Sequence, residues 1–256
     1  MLLTGATGGI GQAIARALDE RGARLLLTAR RAEQLEQLAA ALGGRSEVLP
    51  ADLTYDAGAL AEQAGAVDVL VANAALPASG PIDGFSPEQI DRALDVNLRA
   101  PIQLTRALLP GMVERGTGHV VFVSSLSGKV ASVGSSLYSA TKFGLRGFAA
   151  GLREDLHGSG VGVTVVFPGF ISDAGMLADS GARLPRWVRT RKPDQVAQGV
   201  VRGIEQGRAE IDVAPLSLRA GVLAGSLAPA TFARVQRRLG SAKLSEAIAE
   251  GQRPKR

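Results

Sequence analysis

The stretch "SSLYSATKFG", residues 135–144, sets Tyr138 four positions before Lys142 among small side chains. In a helix, residues four apart share a face, so the phenol and the ammonium would stand side by side. A neighbouring cation favours phenolate and draws the hydroxyl down from its ordinary pKa of about 10, toward a range useful for proton exchange. Interconverting a carbonyl and an alcohol needs such a group, because a hydride moves at carbon while a proton moves at oxygen. An isolated YxxxK pair also describes a plain solvated helix face. The rest of the chain decides between the two.

A second chemical signal is "TGATGGIG", residues 4–11, between a short apolar run and a helical pattern. Gly5, Gly9 and Gly11 let the backbone turn tightly and approach a pyrophosphate, whose charge meets the amides of a helix start. The octet fits TGxxxGxG through Gly9 and TGxxGxxG through Gly8, so it does not separate two branches of nucleotide-binding enzymes. After the second apolar run, an acidic side chain would bond the ribose 2′-hydroxyl of NAD. Here Ala29 is followed by Arg30 and Arg31, which suit a 2′-phosphate and so NADP over NAD. Thr7 adds a hydroxyl for the same phosphate. Asp52 in "ADL", at the end of the third predicted strand, is placed to accept from the adenine amino group, or else serves as a turn aspartate.

These groups must be positioned by the elements around them. Apolar runs and helical patterns alternate from "MLLTG" through "VDVLVANAA", and again from "PEQIDRALDVNLRAPIQLTRALLPGMVERG" through "VGVTVVFPG". The expected fold is α/β, a Rossmann-type doubly wound parallel sheet with helices on both faces, because the strands read as continuous apolar runs. One domain over residues 1–215 is expected, with 216–256 a basic helical extension of it. The first strand is short, which suggests missing residues upstream of Met1. Residues 170–192 lack a clear period, carry the only tryptophan, and read as a long loop of the kind that forms lids. Two amphipathic helices are expected beyond the last strand, divided at Pro229.

Composition narrows the function classes. The chain of 256 residues is 46% apolar and 4% aromatic, with no cysteine, which excludes disulfide and thiolate chemistry. No secretory signal is read at the start and no apolar run reaches the roughly 18 residues of a membrane span, so a cytoplasmic location is expected. Residues 1–182 carry 14 Lys and Arg against 18 Asp and Glu, whereas residues 183–256 carry 15 against 6. The tail is therefore the basic part. Its favoured reading is a helix packed over the site or at a subunit contact, with membrane-surface contact second. Nucleic acid is not expected, since no aromatic platform accompanies the charge. His119 and His157 have no partners at metal-ligand spacing, so no metal site is expected.

In order and spacing, "TGATGGIG", "VANAA", Asn97 in "DVNLRA", "VFVSS", "YSATK" and "PGF" resemble the short-chain dehydrogenase/reductase family over about residues 1–215. The resemblance implies an NADP-dependent oxidoreductase acting on a secondary alcohol or carbonyl, working as a homodimer or homotetramer. It selects Ser125, thirteen positions before Tyr138, over Ser124, Ser127, Ser135 and Ser136. The implied group is Asn97, Ser125, Tyr138 and Lys142: Ser125 orients the substrate oxygen, Lys142 also holds the nicotinamide ribose, and Asn97 supports a water relay to Lys142. It adds Ile10, Leu53, Asn73, Ala74, Pro168, Gly169 and Ile171 to the cofactor contacts. Three positions depart from the family pattern. The common NNAG reads Ala72, Asn73, Ala74 and Ala75. A threonine that meets the nicotinamide amide is replaced by Asp173, whose ionised carboxylate cannot donate, leaving Ser172 or the Ile171 amide. The helix between Asp52 and Asp68 is short. A nucleotide-sugar epimerase or dehydratase, suggested by the alternative glycine spacing, and a dinucleotide-binding sensor without turnover are the competing readings.

Overall fold

Apolar residues at every position of a strand require cover on both faces of the sheet. In a computed structural model the chain meets this with seven parallel strands in the order β3-β2-β1-β4-β5-β6-β7. The structure describes all residues except 183, 185–187, 239, 240 and 256, and only the backbone of 241–243 and 255. Trp187 of the expected lid lies outside the described residues. The strands are β1 (Leu2–Thr4), β2 (Leu25–Thr28), β3 (Ser46–Val48), β4 (Val69–Ala72), β5 (Gly118–Val123), β6 (Val161–Pro168) and β7 (Glu210–Val213). The helices between them are α1 (Gly9–Asp19), α2 (Ala32–Ala40), α3 (Ala57–Ala64), α4 (Pro87–Leu94), α5 (Ala100–Glu114), α6 (Ser136–Asp155), α7 (Gly175–Ser180) and α8 (Pro193–Gln206).

Side-chain alternation divides the core into two layers. Leu2, Leu70, Val120 and Phe122 point to one face and pack with Leu60 of α3, Leu104 and Met112 of α5, and Leu145 and Leu152 of α6. Their neighbours Leu3, Val71, Val121 and Val123 point to the other, against Ile14 and Leu18 of α1, Leu35 of α2, and Val196 and Val200 of α8. The chain builds β1 to β3 outward in one direction, then crosses back to β4 beside β1. That reversal opens a crevice at the carboxyl ends of β1 and β4, where ligands of doubly wound sheets bind.

Three local outcomes differ from the sequence reading. β3 stops at Val48, so Asp52 lies four residues past the strand, in the turn before α3. The helix carrying Asn97 contains a π turn, Asp95–Arg99, between α4 and α5. Beyond β7 lie three helices where two were expected: α9 (Leu216–Leu227), α10 (Pro229–Arg238) and α11 (Ser241–Gln252).

Candidate active site

The glycine loop is shaped by contacts that exclude larger residues. Gly5 sits at φ +66°, and a Cβ there would lie 2.8 Å from Ala74 Cα. A Cβ on Gly11 would lie 2.2 Å from the carbonyl oxygen of Gly5, so the first turn of α1 runs directly beneath the loop. The Asn73 amide donates to the carbonyl oxygens of Thr4 and Gly5 at 3.0 and 3.2 Å, while the Thr4 hydroxyl accepts from the Asn73 and Ala74 backbone amides, each at 3.0 Å. Asn73 and Ala74 thus stitch β4 to β1 and form the floor of the cradle. The lid segment approaches from above: a Cβ on Gly9 would meet Ala174 Cβ at 2.3 Å, and one on Gly175 would meet Ile10 Cδ1 at 3.4 Å.

The chemistry of this cradle fits a dinucleotide. The absence of side chains lets the loop close tightly on itself and on Ala74, bringing it to the start of α1 where backbone amides can meet a phosphate, and Thr7 lies on the loop leading into α1. Arg30 and Arg31 are exposed past the end of β2 and form no ion pair among the described residues. Asp52 Oδ1 accepts from the Thr54 amide at 3.0 Å and shapes the turn around Leu53, which is buried. Burial raises the Asp52 pKa, but its hydrogen bonds from Thr54 and the charges of Arg30 and Arg92 outweigh this, holding the carboxyl below its ordinary value.

At the carboxyl end of β5 stands the second group. Ser125 is extended, at φ −163°, and its Oγ accepts from the Ser127 amide at 3.1 Å. The same side chain is near enough to Tyr138, in the first turn of α6, to draw the phenol's pKa down. One turn on, Lys142 is 2% exposed, its Nζ donating to the carbonyl oxygen of Val123 at 3.1 Å and standing 5.6 Å from the Tyr138 ring centre. Ser124 faces elsewhere, onto the Lys142 carbonyl at 3.2 Å. The expectation that the ammonium would pull the phenol down is not met in the protein alone. Burial pushes Tyr138 up to about 12, against the opposing effect of Ser125, and burial brings Lys142 down to about 8. Loss of hydration penalises both charged forms and exceeds their mutual attraction. The phenol is therefore a protonated donor at neutral pH.

Asn97 acts on backbone. Its Oδ1 accepts from the Leu76 amide at 2.6 Å and its Nδ2 donates to the Leu76 carbonyl at 2.9 Å, fixing the chain that leaves β4. Each end of its amide thus makes one bond to Leu76, leaving one N–H and one lone pair over. Leu98, the next residue of the π turn, packs against Gly144, two positions beyond Lys142. Pro168 closes β6. The Gly169 amide donates to Val213 at 3.1 Å, and Gly169 sits so close to Leu126 that a Cβ would be 3.4 Å from it. Ile171 is buried and bridges to Arg191. Asp173 adopts φ +65°, and the Ser172 hydroxyl donates to its carboxylate at 3.1 Å.

Sequence reasoning missed two supports of this site. Lys129, four residues after Ser125, lies 4.1 Å from the Phe167 ring centre and pairs with Glu210 and Asp212 of β7 at 2.9 and 2.6 Å, anchoring the loop after β5. Helix α7 is tied to α11: a Cβ on Gly251 would lie 2.0 Å from the Ser180 carbonyl oxygen, and the buried Gln252 donates to the Met176 carbonyl at 3.1 Å. Lone glycine and glutamine codes near a chain end carry no signal for such contacts. His119 is buried on β5 with Nε2 2.8 Å from Thr164 Oγ1, and among the described residues no group of His, Cys, Asp or Glu is arranged to hold a metal ion. Nor is any described helix long and apolar enough to cross a membrane.

A doubly wound sheet with a glycine cradle at its switch point and a Ser–Tyr–Lys cluster beside it defines an oxidoreductase of the dinucleotide-binding α/β class. A family model described as short chain dehydrogenase matches residues 1–184, and the chain belongs to the short-chain dehydrogenase/reductase family. It is 36% identical, over a 264-residue alignment, to ketoacyl reductase HetN of a Nostoc species, covering 98% of this chain and 92% of that protein. With NADP-dependent 3-hydroxy acid dehydrogenase YdfG of Salmonella typhi it shares 40% identity over 180 residues, 67% of this chain and 72% of that one. Among solved structures, a short-chain dehydrogenase from Sphingobium yanoikuyae in complex with NADPH superposes with a TM-score of 0.78 at 30% identity, covering 88% of this chain and 92% of that chain. The oxidoreductase reading of the ambiguous glycine octet is the one these relatives share.

Proposed function

We propose that the protein is an NADPH-dependent carbonyl reductase in which Tyr138 gives its proton to the substrate oxygen. The observation that carries this reading is the burial of Lys142 one helical turn from Tyr138, its Nζ 5.6 Å from the phenol ring centre, with Ser125 at the same carboxyl end of the sheet as the glycine cradle. When bound, NADPH supplies the hydride to the carbonyl carbon. Ser125 orients the carbonyl oxygen toward the phenol, and Lys142 holds the nicotinamide ribose and stabilises the phenolate left behind. Asn97 positions the chain after β4 through Leu76. The cofactor is held by the loop Gly5, Thr7, Gly9, Ile10 and Gly11 along its phosphates, and by Arg30 and Arg31 at the 2′-phosphate, which favours NADPH over NADH. Asp52 and Leu53 meet the adenine, Asn73 and Ala74 the adjoining ribose side, and Pro168, Gly169 and Ile171 the nicotinamide end. Burial keeps Tyr138 protonated before reaction, which is the state an acid needs in the reducing direction. Because HetN is named a ketoacyl reductase and YdfG a 3-hydroxy acid dehydrogenase, a keto- or hydroxy-bearing acyl chain is the substrate class to try first. Partly exposed Val113 on α5 and Phe143 on α6 support a homo-oligomer assembled on those helices.

Tyr138→Phe tests the mechanism. NADPH oxidation over a panel of ketones should drop by about 10²–10⁴-fold, while NADPH binding followed by fluorescence persists. Turnover surviving at the wild-type rate would remove Tyr138 from the reaction.

A further inference from the structure

Four residues past Ser125, Lys129 ends a turn that is bonded at each step. The Gly128 amide donates to the Ser125 carbonyl at 2.8 Å, and the Lys129 and Val130 amides both donate to the Leu126 carbonyl, at 2.9 and 3.1 Å. Ser125 Oγ itself accepts from the Ser127 amide at 3.1 Å. The turn also fits closely against α6, since a Cβ on Gly128 would lie 2.7 Å from the Lys142 carbonyl oxygen. In so tight a packing a shift at Lys129 is carried to Ser125 and is not absorbed between them.

On α6, Arg146 lies one turn past Lys142 and two past Tyr138, on the same helix face. Its Nε and Nη2 donate to the two carboxylate oxygens of Glu210, at 2.7 and 3.3 Å. Lys129 Nζ reaches the same carboxylate at 2.9 Å and that of Asp212 at 2.6 Å. Glu210 and Asp212 stand two apart on the edge strand β7, paired with Val165 and Phe167 of β6, so their side chains rise from one face of the sheet. Both cations stand over the Phe167 ring, Lys129 Nζ at 4.1 Å from its centre and Arg146 Cζ at 5.7 Å. The Lys129 side chain is 11% exposed and that of Glu210 35%, and such partly buried, charge-assisted pairs are screened less than surface ones. One carboxylate on a fixed strand thus holds both the turn that carries Ser125 and the helix that carries Tyr138 and Lys142.

We propose that Lys129 and Glu210 are positioning residues: the Lys129–Glu210–Arg146 bridge sets where Ser125 stands relative to Tyr138. This rests on the carbonyl-reductase reading, in which Ser125 and Tyr138 address one substrate oxygen. Two groups that share an oxygen must keep their separation, and the bridge fixes it from the side of the turn and from the side of the helix at once. If these charges served only to guard an edge strand, their loss would lower stability without regard to Ser125.

Reduction of a carbonyl compound by the full-length protein tests the inference. Lys129→Met should lower kcat by about 10–100-fold, the cost of a small misplacement at the reacting oxygen, with the KM for NADPH almost unmoved. Glu210→Gln, which keeps the size of the side chain and loses its charge, should lower kcat in the same way by a smaller factor. In a Ser125→Ala background either change should cost almost nothing further, because the side chain being positioned is gone. Single turnovers at high enzyme concentration read these slow variants. Circular dichroism reports folding, and Glu210→Gln decides the matter should Lys129→Met not fold. An unaltered kcat in the folded variants would overturn the inference. So would a loss of the same factor with and without Ser125, or a KM for NADPH that rises in step with the fall in kcat. A Ser125→Ala protein that reduces carbonyls at the wild-type rate would remove the carbonyl-reductase reading itself, and this inference with it.

Discussion

Lys142 is the charged side chain that the fold buries most completely, 2% exposed against the Val123 carbonyl, and its pKa of about 8 keeps it mostly an ammonium at neutral pH. The arrangement gives Tyr138 a cationic neighbour without stripping the phenol of its proton in advance. Spacing alone showed that the two would share a face; it did not show which of two opposing effects governs their proton affinities, because desolvation depends on everything packed around them. Arg30 and Arg31 present the reverse case. Their exposure, with no ion pair among the described residues, agrees with what an RR dipeptide at a strand end suggests, since nothing distant needs to be known. For Arg30→Ala/Arg31→Ala the KM for NADPH should rise about 10–100-fold, the loss of one charge-assisted phosphate contact or two, with the KM for NADH almost unmoved. Steady-state rates with each cofactor at saturating carbonyl measure this. Equal effects on both cofactors would mean the arginines do not read the 2′-phosphate.

At the scale of elements, the π turn Asp95–Arg99 aims Asn97 at the backbone of Leu76, joining the helical layer to the segment that follows β4. An Asn97→Ala substitution leaves a buried amide and a buried carbonyl of Leu76 without partners. A loss of about 1–3 kcal/mol in urea unfolding is expected, and an unchanged midpoint would show that Leu76 finds other partners. The helix around Asn97 was legible from its apolar period, but one extra residue in a turn leaves that period almost intact over so short a span. Strand ends were similarly blurred. "EVLPADL" reads as one extended run; strand β3 ends at Val48, the Leu49 and Ala51 amides still donate to the Leu27 and Ala29 carbonyls, and Asp52 then belongs to a turn closed by its own bonds with Thr54 and Asp56. The glycine octet was the most readable element, because Gly11 answers to Gly5 and Ala6 within the same loop, although Gly5 itself answers to Ala74 of the distant segment after β4.

For the molecule as a whole, stability against acid hinges on the middle of the sheet. Thr164 Oγ1 donates to the Arg208 carbonyl at 2.7 Å, so it accepts from His119 Nε2, and the imidazole is held neutral between β5 and β6. Burial, helped by the charge of Arg153, depresses the His119 pKa to about 4. Between about pH 6.5 and 4 the unfolded chain binds a proton that the folded one refuses. Stability is therefore full above 6.5 and falls as pH drops toward 4, by up to about 3 kcal/mol. Urea midpoints at several pH values measure the slope, and His119→Gln, which retains a donor for Thr164, should flatten it; an unaltered slope would assign the acid sensitivity to carboxylates. The parallel sheet was legible throughout because strands covered on both faces must be apolar at every position, whereas the path of the tail was not. Gln252 meets Met176 across 76 positions, and the substrate-side helix α7 rests on Gly251. On the proposed carbonyl-reductase reading, the choice between bulky and slender substrates should then be adjustable from the far end of the polypeptide, and randomising residues 248–252 should shift the preferred carbonyl more than the rate with a small one.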